Sequence, residues 1–164
     1  MDASSEILLA QLLRGARIAG LATLRDDAPQ ISMAAFACAD DFSEFYIHIS
    51  KLAQHTMDMI KDKRVSLLIA EPDDGRNDPQ TLTRVSLRAY AEKIQNGEPG
   101  HALIKQIYLT KFPASAALFD LADFSLWRIK PRGGRFVAGF GKAYNITTDT
   151  LQKAAKGITP PKTS

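Results

Sequence analysis

With 164 residues, 45% of them hydrophobic and 24% charged, the chain has the size and composition of one globular domain, which excludes a globally disordered polymer and leaves little room for two domains. Lys and Arg number 21 against 18 Asp and Glu, a net +3 that is a small surplus rather than a basic stripe and does not mark a nucleic-acid-binding protein. A single cysteine, Cys38, excludes an intramolecular disulfide, and no Cys/His spacing offers a zinc site.

The N-terminus opens on acid and Ser rather than a basic leader, and its apolar run at 7–10 is too short for a signal or a span, so a cytoplasmic protein with no membrane partner is expected. Ser4 or Ser5 is placed to cap a short helix carrying Ile7, Leu8, Gln11 and Leu12 at helical spacing and ending near Gly15. Residues 18–24 read as a strand, the run Arg25-Asp26-Asp27-Ala28-Pro29 as a turn, and residues 30–37 as the return strand. A second turn at 40–43 leads into a strand at 44–49 rich in aromatic and β-branched residues. Ser50 then stands where an N-cap belongs, with Leu52, His55, Met59 and Ile60 on one face of a helix running to about Lys61.

Residues 64–70 form a fourth strand, 71–79 an acidic surface loop, and 83–94 a long strand with Val85, Leu87, Ala89 and Ala91 on one face and Arg84, Ser86, Arg88 and Tyr90 on the other. Pro99 opens a helix carrying Leu103, Ile104, Ile107 and Tyr108, Pro113 closes it, and residues 114–121 suggest another short helix. Two final strands, 124–130 and 135–140, are expected around a tight turn at Pro131-Arg132-Gly133-Gly134, followed by a frayed tail with Pro160-Pro161. The pattern predicts a mainly β, α+β chain whose six or seven antiparallel strands curl into a closed or partly closed barrel, because closure removes exposed edges. It divides as a docking helix over 1–16, a barrel domain over 17–146 and a C-terminal helix or tail over 147–164, a single domain in all.

The stretch from Tyr46 to Lys61 carries the most chemistry. A strand delivers the chain to a helix start where backbone N–H groups, the Ser50 hydroxyl, the Lys51 ammonium and the Gln54 amide can hold a phosphate. The same residues also suit an ordinary capped helix with a solvent-exposed Lys51. His55 lies either in the core or beside such a phosphate, His48 reads as a sheet-face residue, and His101 as exposed. Arg84 and Arg88 share a strand face and, if turned inward, need an anionic partner, although exposed arginines are the commoner outcome. The aromatic, basic and glycine residues at 127–142 suit either a planar cofactor or plain core packing. No nucleophile elbow, P-loop or GxGxxG turn is present, so hydrolytic chemistry is disfavoured.

Taken in order, Gly20-Leu21-Ala22-Thr23-Leu24 with Pro29, Tyr46 to Thr56, Arg64 to Ile69, Arg84-Val85-Ser86-Leu87, Asp123-Phe124-Ser125-Leu126-Trp127 and Gly139-Phe140-Gly141-Lys142-Ala143 resemble the pyridoxamine-phosphate-oxidase-like FMN-binding split barrels, in the branch related to haem-utilisation proteins. The resemblance implies a homodimer with two flavin sites at the subunit interface and a role as an FMN-dependent oxidoreductase on a small molecule. It places the FMN phosphate at Ser50, Gln54 and His55 with Lys51 beside them, lays the strand Ser32, Met33, Ala34, Ala35 and Phe36 along the flavin, and sets Arg84 at the pyrimidine edge. The family's phosphate grip usually includes an Arg-Lys pair, where this chain has Gln54-His55. The haem-utilisation branch supplies an iron-ligating His from a C-terminal extension, whereas the last histidine here is His101. A haem-binding protein, with His55 or His48 as ligand, and a non-enzymatic dimeric module with a vestigial flavin pocket are therefore the alternatives.

Overall fold

Alternating apolar and polar residues produce the first hairpin, β1 (Ile18–Arg25) and β2 (Ala28–Ala35), which pair in unbroken register from Ile18↔Ala35 to Arg25↔Ala28. Asp26 and Asp27 make the whole turn, both at positive φ, the conformation a two-residue hairpin loop needs to match strand twist. Pro29, expected in the turn, is instead on the strand, where its missing N–H is harmless at a sheet edge. The computed structural model describes residues 1–157, so the tail expected to fray around Pro160 and Pro161 lies outside them.

Six further strands follow: β3 (Ala37–Cys38), β4 (Phe45–Ser50), β5 (Arg64–Ala70), β6 (Arg84–Lys93), β7 (Phe124–Val137) and β8 (Ala143–Ile146). All pairings are antiparallel, in the order β2-β1-β5-β6-β7-β4-β3, with β8 added alongside β7. β2 and β3 stand at opposite ends of that order, yet only Phe36 separates them in sequence. The sheet must therefore curl until its two edges nearly meet, and the fully buried Phe36 sits at the join. This is the partly closed barrel that the pattern of short antiparallel strands predicts, and the split barrel that the family resemblance implies, with eight strands rather than six or seven.

Inside the curl, Leu21, Ile47, Leu67, Ile69, Leu87 and Phe136 are completely buried. Each contributes roughly 1.5–3 kcal/mol by leaving water. Helix α1 (Ala3–Gly15) and helix α4 (Thr148–Lys156) join this core through Leu9 and Leu13 on one and Leu151, Ala154 and Ala155 on the other. A second cluster, with Tyr46 and Leu126 of the sheet and Ile94 just past β6, is covered by Ile104, Tyr108 and Phe112 from α3 (His101–Lys111) and the residue that ends it.

Three local expectations are corrected. The cap of α1 is Asp2, whose carboxylate accepts from the Ser5 N–H at 2.8 Å, so neither Ser4 nor Ser5 is the cap. Helix α3 begins at His101 after Gly100 rather than at Pro99, while the short helix expected over 114–121 is present as the 3-10 helix Pro113–Asp120. The last two strands are not a hairpin: β7 runs unbroken through Pro131-Arg132-Gly133-Gly134. A register shift opposite Arg88 and Ala89 absorbs the extra residue, Gly133 takes φ +132, and a Cβ on Gly134 would collide with the Ser86 carbonyl oxygen. Those glycines bend one strand tightly over β6 instead of reversing the chain.

Candidate functional site

At the end of β4 the chain turns through residues 50–53 into α2 (Gln54–Lys61). The helix begins later than a Ser50 cap would require: its N-cap is Ala53, which has no side-chain cap bond. Ser50 closes the turn itself. Its hydroxyl accepts the Leu52 N–H at 3.1 Å and donates to Asp123 Oδ2 at 2.9 Å, while its carbonyl accepts the Thr56 hydroxyl at 2.7 Å. The backbone N–H of Lys51 donates to the Asp123 carbonyl, and the Lys51 ammonium to the Ala122 carbonyl at 2.7 Å. The turn expected to hold a phosphate is thus stitched to residues 122–123.

Helix α2 also rolls differently from expectation. Thr56, Asp58 and Met59 face inward, while Leu52, just before the helix, is 81% exposed and Ile60 is 67% exposed. Asp58 explains the roll. Buried in the first turns of α2, it accepts from the Thr23 hydroxyl at 2.9 Å, from Arg25 Nε at 3.1 Å, and from the Gln54 amide at 3.2 Å. The Arg25 hydrogen bond, helped by Gln54 and Thr23, holds its carboxyl at about 2. Sequence reading missed this acid; the usable signal was Asp58 at i+4 from Gln54 on a short helix following a strand that ends in Arg25.

His55 is half-buried on this helix, and its Nε2 is buried without a hydrogen-bond partner among the described residues. Burial lowers its pKa, against the opposing pull of Asp58, which favours the neutral imidazole at neutral pH. His48, read as a sheet-face residue, is 8% exposed and stacks on Phe119 with ring centroids 3.7 Å apart and planes 4° from parallel. Burial, with Lys105 and His101 adding to it, pushes its pKa down to about 4, and its Nδ1 is likewise unpartnered.

The remaining expected residues are positioned by β2 and β6. Along β2 the side chains alternate: Ala34 is buried, whereas Met33 lies on the outer face 67% exposed and Ala35 is half-buried. The Ser32 hydroxyl donates to the Leu21 carbonyl at 3.4 Å. Arg84, at the start of β6, gives Nη1 to the carbonyls of Gln80 and Leu82 at 2.7 and 3.0 Å, so the chain itself supplies its acceptors. Arg88, on the same face, is exposed rather than inward. The structure brings Ser50, Lys51, Gln54 and His55 into one turn and sets α2 against β1 and β2, but no hydrogen bond joins Arg84 to that turn. Among the described residues no group of His, Cys, Asp and Glu could hold a metal ion by itself, and no helix is long and apolar enough to cross a membrane.

Comparison with known proteins adds three findings. A family model described as pyridoxamine 5'-phosphate oxidase matches residues 7–138. A chloroplastic non-canonical heme oxygenase of Arabidopsis thaliana, HOZ, is 34% identical over 116 residues, 71% of this chain but only 34% of that protein, and the heme oxygenase HutZ of Vibrio cholerae is 27% identical over 124 residues, 75% of this chain and 69% of that one. Among solved structures, a heme binding protein from Mycobacterium smegmatis superposes with TM-score 0.79 at 24% identity over 93% of this chain and 61% of that one, and ChuZ of Campylobacter jejuni with 0.77 at 22% identity over 100% and 68%. At those identities the two structures establish likeness of fold.

Proposed function

This chain belongs to the pyridoxamine 5'-phosphate oxidase family, and from that premise we propose that it is a haem-binding member that works as a homodimer. Its 34% identity to a protein named as a heme oxygenase supports the reading, although the match spans about a third of that relative's length. The observation that carries it in this chain is His55: a burial-neutralised imidazole with an unpartnered Nε2, on a helix that presents Met57 and Ile60 outward. His55, once its buried Nε2 is uncovered, would hold the haem iron as a neutral imidazole with no competing hydrogen bond, and the exposed apolar side chains would suit the porphyrin body. When bound, haem would supply the redox chemistry of its iron. The chain would supply the ligand, the apolar surface and the exclusion of water.

Flavin is the weaker reading on this geometry. A phosphate dianion brought to Ser50 meets the Asp123 carboxylate already bonded there, while Lys51 and Gln54 donate to the chain's own oxygens. The expected oxidoreductase role with FMN therefore lacks a free phosphate grip.

The dimer is supported by the outer face of the β2-β1-β5 sheet. Ile31 is 72% exposed, and register sets it beside Met33, Gly20 and Leu68 in one apolar strip. A second copy of the same strip, related by a two-fold axis, buries it without any new chemistry.

The iron ligand is tested by titrating hemin into wild-type and His55→Ala protein and comparing the visible and electron-spin-resonance spectra. The expected result is a low-affinity or altered-ligation complex in the variant. An identical spectrum and affinity in His55→Ala overturns the assignment.

A further inference from the structure

We propose that the cleft between the start of α3 and the 3-10 helix over Pro113–Asp120 is a binding site for a small oxyanion, a phosphate or a small carboxylate, separate from the His55 surface. The cleft has a volume of about 340 Å³, large enough for a compact ligand and at the lower limit of ordinary small-molecule sites. His48 forms part of its wall from β4, Phe119 and Asp120 from the 3-10 helix, His101 and Lys105 from α3, and Ser125 from β7.

Two independent observations point to a ligand there. The first is the buried His48 ring, whose Nδ1 has no hydrogen-bond partner among the described residues. A buried polar atom left unpaired costs about 1–3 kcal/mol, and a ligand atom that meets it removes that cost. The second is the charge around it. Lys105 makes no ion pair with any described carboxylate; its ammonium instead lies 4.8 Å from the centre of the Phe119 ring. His101, half-buried at the first position of α3, adds an imidazole, its backbone N–H being already donated to the Glu98 carbonyl at 3.1 Å.

Lys105 and His101 both act on His48 in the sense that disfavours its protonation. The one opposing charge is Asp120, which is exposed on the rim. The Phe119–His48 stack fixes the imidazole plane, so this part of the cleft wall is preset rather than mobile. The cleft is divided from the Ser50 turn by residues 122–123, since Ala122 lines it while its carbonyl accepts the Lys51 ammonium. The inference therefore does not depend on haem at His55.

The test follows the side-chain nitrogen resonances of the three histidines at pH 7 while sodium phosphate, sodium succinate or sodium chloride is added at matched ionic strength. The proposal expects a saturable shift at His48 and His101, with His55 unmoved, and whether phosphate or succinate saturates identifies the source. Lys105→Met, a change at a half-buried surface position, should weaken that binding by about tenfold. Shifts that chloride reproduces equally, meaning an adventitious ion only, overturn the proposal, as does undiminished saturable binding in Lys105→Met.

Discussion

His48 and His55 are kept neutral by burial, and that has a consequence for stability. In the unfolded chain an imidazole takes its proton near pH 6.5, whereas folded His48, hemmed by Lys105 and His101 from α3 with Asp120 at the rim, resists protonation down to about 4. Between those values the unfolded state binds more protons, so stability is fully present above about pH 6.5 and declines as pH falls toward 4. His55, shifted in the same direction, adds to the slope. Urea unfolding midpoints should fall between pH 7 and pH 5, and the fall should be smaller in His48→Gln. A wild-type midpoint that is flat across that interval contradicts the burial argument. Asp58 acts at a lower pH: its carboxyl is held down by Arg25, so the contribution of that network is present above the ordinary carboxylate range and is lost as pH falls through about 2.

The elements show which features a single sequence can carry. Strands β5 and β6 were legible because period-two alternation is a local property: residues 64–70 were read to the residue, and Val85, Leu87, Ala89 and Ala91 are all buried. Ser50 failed as a cap because its partner, Asp123, lies 73 positions away and leaves no mark on the local pattern. The glycines of β7 were misread for a related reason. Gly133-Gly134 looks like a turn locally, but the close approach of the Ser86 carbonyl, which is a tertiary fact, decides that they bend a strand. Gly134→Ala should consequently destabilise the fold by about 2 kcal/mol or more, far beyond the stabilisation a Gly-to-Ala change gives at an unstrained site. A thermal midpoint equal to or above wild type would place those residues in a free loop. The run on β2 that the resemblance lays along a flavin was legible as a strand, but its alternation divides Met33 from Ala34, a division that any strand imposes.

For the molecule as a whole, the curled sheet closes around its core yet leaves the β2-β1-β5 outer face apolar, an arrangement that a lone domain of 164 residues would present to water. Replacing a central residue of that strip with a charge separates assembly from folding, because Met33 is exposed in the single chain. Met33→Lys should shift the mass measured by light scattering from two chains toward one while leaving circular dichroism unchanged. A wild-type protein that is monomeric at all concentrations removes the two-copy arrangement.

The central claim is that this split barrel holds haem in preference to flavin. Purified protein titrated in parallel with hemin and with FMN tests it directly. The account predicts a saturable Soret band at a fixed hemin-to-chain ratio together with weak or unsaturable FMN fluorescence quenching; stoichiometric FMN uptake with no saturable Soret band would contradict it.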